Sequence, residues 1–165
     1  MLPLAWALAL VSSATVPGTP KLNTAKPRCI MAFDFGTRQI GLAVGQTLTA
    51  SGQPLTVLKA RDGQPNWQHI ADAIEQWQPD TLIVGLPLNM DSSESPFCQR
   101  ARKFARRLQG RMVLPVKMVD ERLSTAEAKS STERPNSYRD DPVDSVAACL
   151  ILETWLQNPA LGLSP

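Results

Sequence analysis

The order of apolar segments in this 165-residue chain predicts an α/β fold, a mixed sheet with helices on its faces. Two observations carry this. Three short β-like runs follow one another from Cys29, and helical and β periodicities then alternate. A third observation adds to it: residues 81–86 form a short apolar run of the kind found in a central parallel strand.

The elements follow in order. Residues 30–35 and 40–46 read as a hairpin across Gly36-Thr37-Arg38, and residues 55–59 as a third strand. Asp62-Gly63 is a turn. Asn66 is placed to cap a helix over residues 67–77, where Ile70, Ile74 and Trp77 form one stripe. The strand at 81–86 leads to a polar loop, 89–93, and a helix from about 94 to 109. A strand at 112–119 follows, in which Pro115 points to an edge or bulge position. Ser124, with Glu127 three residues on, makes a capping box for a short helix. Residues 132–141 are a polar loop, Pro142 opens the last helix, and Asn158-Pro159 ends it. There is no internal repeat.

This length is expected to give one domain, residues 29–158, with 159–165 as a tail. Residues 1–28 stand apart as an N-terminal extension. Residues 2–16 are apolar enough for a leader peptide, but no positive charge precedes them, and the run is short for a membrane span. A leader, a disordered appendage and a misassigned start codon are the three readings; the rest of the chain, with no disulfide logic suited to export, favours the last and a cytoplasmic protein without a membrane role.

The formal charge is +2, yet residues 1–28 hold Lys21, Lys26 and Arg28 and no acid, leaving 14 basic against 15 acidic residues beyond them. Any polyanion must therefore be held by local clustering, not bulk charge. Cys29, Cys98 and Cys149 have neither zinc nor disulfide spacing and read as reduced core residues. With His69 the single histidine, carboxylates are the best candidates for chemistry.

Asp34 interrupts an apolar strand, where an unpaired charge is very costly, so it must be paired, metal-bound or catalytic. Asp120-Glu121, Asp141 and Asp144 lie at element ends, which can meet in the crevice beyond the strands of an open sheet. Oxygen-only donors suit Mg²⁺ or Mn²⁺, which can activate water and stabilise a leaving oxygen in phosphodiester hydrolysis. Each acid also has an ordinary explanation. Asp141 can cap the helix that Pro142 opens, Asp144 can complement its dipole, and Asp120 and Glu121 can pair with Arg122.

The second signal is the helix over residues 99–111. Ala101, Phe104, Ala105 and Leu108 form its buried stripe with Phe97, and Arg100, Lys103 and Arg107 lie on the outer side. Six basic residues in twelve, unrelieved by acids, can neutralise a phosphate backbone; a solvated face is the plainer alternative.

Ala32-Phe33-Asp34-Phe35-Gly36-Thr37 with Ile40-Gly41-Leu42-Ala43-Val44-Gly45, Trp77-Gln78-Pro79-Asp80 and Ile83-Val84-Gly85-Leu86-Pro87-Leu88-Asn89-Met90-Asp91 recur in order with three later motifs. These are Ala101-Arg102-Lys103-Phe104-Ala105, Asp120-Glu121-Arg122-Leu123-Ser124-Thr125-Ala126-Glu127-Ala128 and Val143-Asp144-Ser145-Val146-Ala147-Ala148. Together they resemble the YqgF (RuvX) family of Holliday junction resolvases and pre-16S ribosomal RNA nucleases, from about residue 29 to 157.

The resemblance implies an RNase H-like fold with a five-stranded mixed sheet. It implies Asp34, Glu121 and Asp144 as catalytic metal ligands for Mg²⁺ (or Mn²⁺), with Asp120 and Asp141 as accessory acids. Substrate contacts are expected from Thr37, Arg38, Asn89, Asp91, Arg100, Lys103, Arg107, Arg122 and Arg139. Two departures stand out. The family's Asn-Met-Asp-Gly loop ends here in Ser92, at a position that permits positive φ. The segment before Val143 is shortened, with Arg139 where the family carries a lysine and two added acids, Asp140 and Asp141.

The leading expectation is a metal-dependent endonuclease acting on structured nucleic acid, in 5′ maturation of pre-16S ribosomal RNA. The alternatives are a Holliday junction resolvase acting on branched DNA and a non-catalytic RNA-binding or transcription-associated module. An actin-like or sugar-kinase ATPase shares the pattern Asp34-Phe35-Gly36, but those folds need two such domains. The oligomeric state is open between monomer and weak dimer.

Overall fold

The computed structural model describes residues 28–123 and 143–165. Residues 1–27 of the N-terminal extension, the helix expected from Ser124, the loop at 132–141, Arg139 and Asp141 lie outside the described residues.

Strands β1 (Cys29–Asp34), β2 (Gln39–Gln46) and β3 (Ser51–Arg61) form an antiparallel meander, and the two-residue β4 (Gln64–Pro65) folds back on β3. Helix α1 (Trp67–Trp77) then crosses to β5 (Thr81–Leu86), and helix α2 (Pro96–Met112) crosses to β6 (Val116–Asp120). Both β5 and β6 run parallel to β1, in the sheet order β4-β3-β2-β1-β5-β6. The C-terminal helix α3 (Val143–Gln157) ends before a short 3₁₀ turn, Pro159–Leu161.

The mixed sheet thus has six strands among the described residues, not five, because Gly63 at φ 76 lets the chain double back at once. The strand over 55–59 extends to Ser51–Arg61, since its polar ends pair with β2 and β4 as well as its apolar middle. Helix α2 continues past Gln109 to Met112, where Val113 at φ 56 closes it by donating its N–H to the Gln109 carbonyl. The last strand therefore starts at Val116, just after Pro115, and lies at the sheet edge.

Alternation along the strands separates two cores. Met31, Phe33, Phe35, Leu82, Val84, Leu86, Val116 and Met118 pack under α1 and α2, with Ala101, Phe104 and Leu108. Ile30, Ala32, Ala43, Ile83 and Val119 pack under α3 against Ala148, Cys149, Ile151 and Leu152. All six residues of β5 are buried, as its apolar run requires. Asp80 fastens the start of β1: its carboxylate accepts from the Cys29 N–H at 2.9 Å, and its own N–H donates to the Cys29 carbonyl at 2.8 Å. Cys98 and Cys149 are buried, whereas Cys29 is only half-buried.

The tail is attached. Leu163 and Met118 exchange two backbone hydrogen bonds of 2.8 Å, so the chain end covers part of the exposed edge of β6. Among the described residues no helix is long and apolar enough to cross a membrane.

Candidate active site

Asp34 is the last residue of β1. Ile30 and Ala32 face α3, so alternation sends Asp34 to that face and Phe35 to the other. On β6, Val119 faces α3 while Val116 and Met118 face α2. Glu121, two residues after Val119, accordingly turns to the α3 side, and Asp120 goes to the opposite one. Asp144 arrives from the first turn of α3.

Two glycines make this convergence possible. Gly41 pairs with Asp34 across β1 and β2, and a Cβ there would collide with the backbone carbonyl of Asp144. Gly85 lies on β5, between β1 and β6; a Cβ there would strike the Glu121 carboxylate and come within 2.6 Å of Ile151 Cδ1. Sequence reasoning missed both as site residues. The available signal was a glycine inside a strand, which marks close approach of backbone or ligand.

The acids influence one another. Burial pushes the Asp34 carboxyl up to about 6, and the charge of Asp144 adds to the shift. Burial raises Glu121 to about 7, with further repulsion from Asp34 and Asp120. Among the described residues Asp34 has no salt-bridge partner. This is a hard oxygen donor set whose charges oppose one another, the chemistry that a divalent cation satisfies. Among the described residues no three His, Cys, Asp or Glu side chains form a closed metal-binding group.

Asp120, one residue from Glu121, behaves in the opposite way. Burial would raise its carboxyl, but hydrogen bonds from Arg122 outweigh that and hold it below the usual range. The Arg122 guanidinium reaches Asp120 at 2.7 Å and also donates to the carbonyls of Asn89 and Met90 and to Ser92 Oγ, at 3.1–3.2 Å. Arg122, expected to contact substrate, binds the 89–92 loop to the end of β6.

That loop is a tight turn, with the Ser92 N–H donating to the Asn89 carbonyl at 2.9 Å. Ser92 adopts φ 69, so the serine occupies the left-handed conformation for which glycine is better suited. Asp91 accepts from the Ser93 N–H and hydroxyl, which hold its carboxyl low. Asn89 donates to Ser93 Oγ at 3.0 Å.

The basic face of α2 is not beside the acids; it lies on the other side of the sheet. Nor is it unrelieved by acids: Arg100 pairs with Asp62 at 2.6 Å and Arg102 with Glu94. Arg107 donates to Gln64 Oε1, and Arg111 lies 4.6 Å from the Trp67 ring centre. Thr37 and Arg38 occupy the turn between β1 and β2, where their carbonyls accept from Gly63 and Ala60. His69 is exposed on α1, beside Asn66.

The family described as "RuvX: Holliday junction resolvase" matches residues 28–158. The chain belongs to the RuvX family. Among relatives, a protein of Haemophilus ducreyi named "Putative pre-16S rRNA nuclease" is 58% identical over 132 residues, covering 78% of this chain and 96% of the relative. One of the same name from Edwardsiella ictaluri is 53% identical over 135 residues, covering 80% and 96%. T. thermophilus RuvC in complex with a Holliday junction substrate aligns at TM-score 0.54 and 12% identity, over 82% of this chain and 98% of that one. At that identity the likeness shows the fold, which is RNase H-like. Family membership makes the chain a hydrolase acting on nucleic acid.

Proposed function

We propose that this RuvX protein is a divalent-metal-dependent endonuclease that hydrolyses phosphodiester bonds in structured nucleic acid, in 5′ maturation of pre-16S ribosomal RNA in the cytoplasm. One observation carries the catalytic assignment: Asp34, Glu121 and Asp144 come from three distant segments to one face at one end of the sheet. The ribosomal substrate is supported by the names that relatives more than 50% identical bear. The family match over 28–158 supports residues 29–158 as the nuclease domain, with residues 1–28 as an extension.

Asp34, Glu121 and Asp144 would hold Mg²⁺ or Mn²⁺, and the bound cation would supply water activation and stabilisation of the leaving oxygen. The chain's own residues do the rest. Gly41 lets the backbone of Asp144 approach β2, and Gly85 leaves room for the Glu121 carboxylate over β5. Glu121, near 7, can hold a proton on its carboxyl at neutral pH when no cation is present. Arg122 fixes the 89–92 loop, so that Asn89 and Asp91 are held in one arrangement at the end of β6. Asp141 and Arg139 are the remaining candidates near Asp144 for an accessory acid and a phosphate contact.

The test is cleavage of precursor 16S RNA and of a four-way DNA junction, in parallel, with Mg²⁺. Asp34→Asn is expected to reduce cleavage about 10³-fold or more, a barrier increase of about 4 kcal/mol, while keeping the fold. Undiminished cleavage by that variant contradicts the assignment. Preference for the DNA junction would move the substrate reading to junction resolution and leave the catalytic residues as they are.

A further inference from the structure

A second concavity, about 230 Å³ in volume, opens on the α2 face of the sheet. Its floor is aromatic. Phe104 stacks on Phe35 with ring centres 5.2 Å apart and on Trp67 at 5.7 Å. Its rim is basic, since Arg100, Lys103 and Arg107 recur at successive turns of α2. Across the opening, Asp62, Gly63 and Gln64 carry the chain from β3 to β4.

The rim is braced on both sides of one lysine. Arg100 is fixed by Asp62 at 2.6 Å, and Arg107 by Gln64 Oε1 at 2.6 Å. Lys103, exposed between them, has no hydrogen-bond or ion-pair partner among the described residues. Three cations thus face one carboxylate, and the excess positive charge sits over an apolar floor. A phosphate joined to a flat, weakly polar group satisfies both features.

The location ties this concavity to the acids. Phe35 on its floor is the residue after Asp34, and the two side chains lie on opposite faces of the same strand end. The Gly63 N–H donates to the Thr37 carbonyl at 2.9 Å, so the rim is fastened to the turn that carries Thr37 and Arg38. Pocket, turn and carboxylates therefore succeed one another around one end of the sheet, across the thickness of that single sheet. A duplex is too stiff to bend round an edge that short, whereas an unpaired strand is not.

We propose that the concavity is a subsite for one nucleotide of an unpaired strand flanking the bond cut at Asp34, with its phosphate at Lys103 and its base or ribose on the aromatic floor. This rests on the nuclease reading and extends it, by making a single-stranded flank part of the substrate. Arg111 covers a face of Trp67, so a base meets ring edges, and the subsite discriminates little among bases.

The test is binding of a short unpaired oligoribonucleotide to the full chain in EDTA, read by fluorescence anisotropy. Lys103→Glu is expected to weaken binding about tenfold, and Lys103→Arg to keep it within about twofold of the parent. Thiouridine placed in the strand should crosslink to peptides containing Trp67 or Phe104. Unchanged affinity in Lys103→Glu, crosslinks only elsewhere, or a blunt duplex bound with the same Lys103 dependence would each overturn the subsite. Binding is read without metal or cleavage. Its failure therefore leaves the carboxylate assignment standing, and intact cleavage by Asp34→Asn would remove that assignment without touching this result.

Discussion

On the α3 face of the sheet, Asp34 and Glu121 are half-buried beside other carboxylates and pushed up to about 6 and about 7. Across the same sheet, Asp120 is also partly buried, yet Arg122 holds its carboxyl below the usual range. Asp120 and Glu121 are neighbours in the chain, yet Arg122 pairs with the one and carboxylate charges crowd the other. On the α2 side Asp120 and Asp62 each have a cation, Arg122 and Arg100. On the α3 side like charges are gathered. A fold gains nothing in stability from such gathering, so its use must be sought in what the acids bind.

That contrast can be broken most severely at Gly41. Gly41→Ala would drive a Cβ into the Asp144 backbone and is expected to cost about 3 kcal/mol or more, lowering Tm by about 8 °C. Thermal unfolding followed by circular dichroism checks this, and a Tm within about 1 °C of wild type would refute the close approach of α3 to β2.

Arg122→Ala should lower stability, because it leaves Asp120 without its cation and the loop carbonyls without their donor. Arg122→Lys should recover little, since an ammonium cannot span a carboxylate and three loop acceptors at once. Urea unfolding of both variants measures the difference.

The pH dependence sharpens the comparison further. A carboxyl whose folded pKa lies above its unfolded value favours folding while protonated, and that contribution is lost as pH rises through the folded value. Metal-free protein should therefore lose stability between about pH 4 and pH 7, with a slope of up to about 1.4 kcal/mol per pH unit for each such carboxyl. Asp34→Asn should flatten that slope. Asp120 has the opposite sign: its contribution is present above the unfolded carboxylate range and is lost as pH falls through its depressed value. The smallest effect is expected from Gly110→Ala on exposed α2, where nothing lies within 4 Å of the added Cβ; a gain of about 0.5–1 kcal/mol should appear in the same unfolding assay.

Much of this was legible in the residues themselves. The apolar run at 81–86 gave the central strand, and the interrupted run around Asp34 gave the first carboxylate, because period-two patterning and an out-of-place charge are both local signals. The face on which each acid lies was not legible at Asp120-Glu121, since one residue of register decides it and strand ends are the least certain part of any pattern. The pairing of Arg122 with Asp120 was open to local reading, but its hold on the carbonyls of Asn89 and Met90 was not, because these are backbone groups some thirty residues away. The pairing of Arg100 with Asp62 was hidden for the same reason of sequence distance. Ser92 shows the converse case: the missing glycine was visible at once, and the chain adopts φ 69 there all the same.

The central claim is that Asp34, Glu121 and Asp144 form one site whose internal repulsion a divalent cation relieves. Thermal unfolding in a Mg²⁺ titration at pH 8, repeated at pH 5, tests it most directly. Wild type should be stabilised by Mg²⁺ clearly more at pH 8, where the acids are charged, and Asp34→Asn should lose most of that gain. An equal Mg²⁺ stabilisation of wild type and Asp34→Asn at both pH values would contradict it.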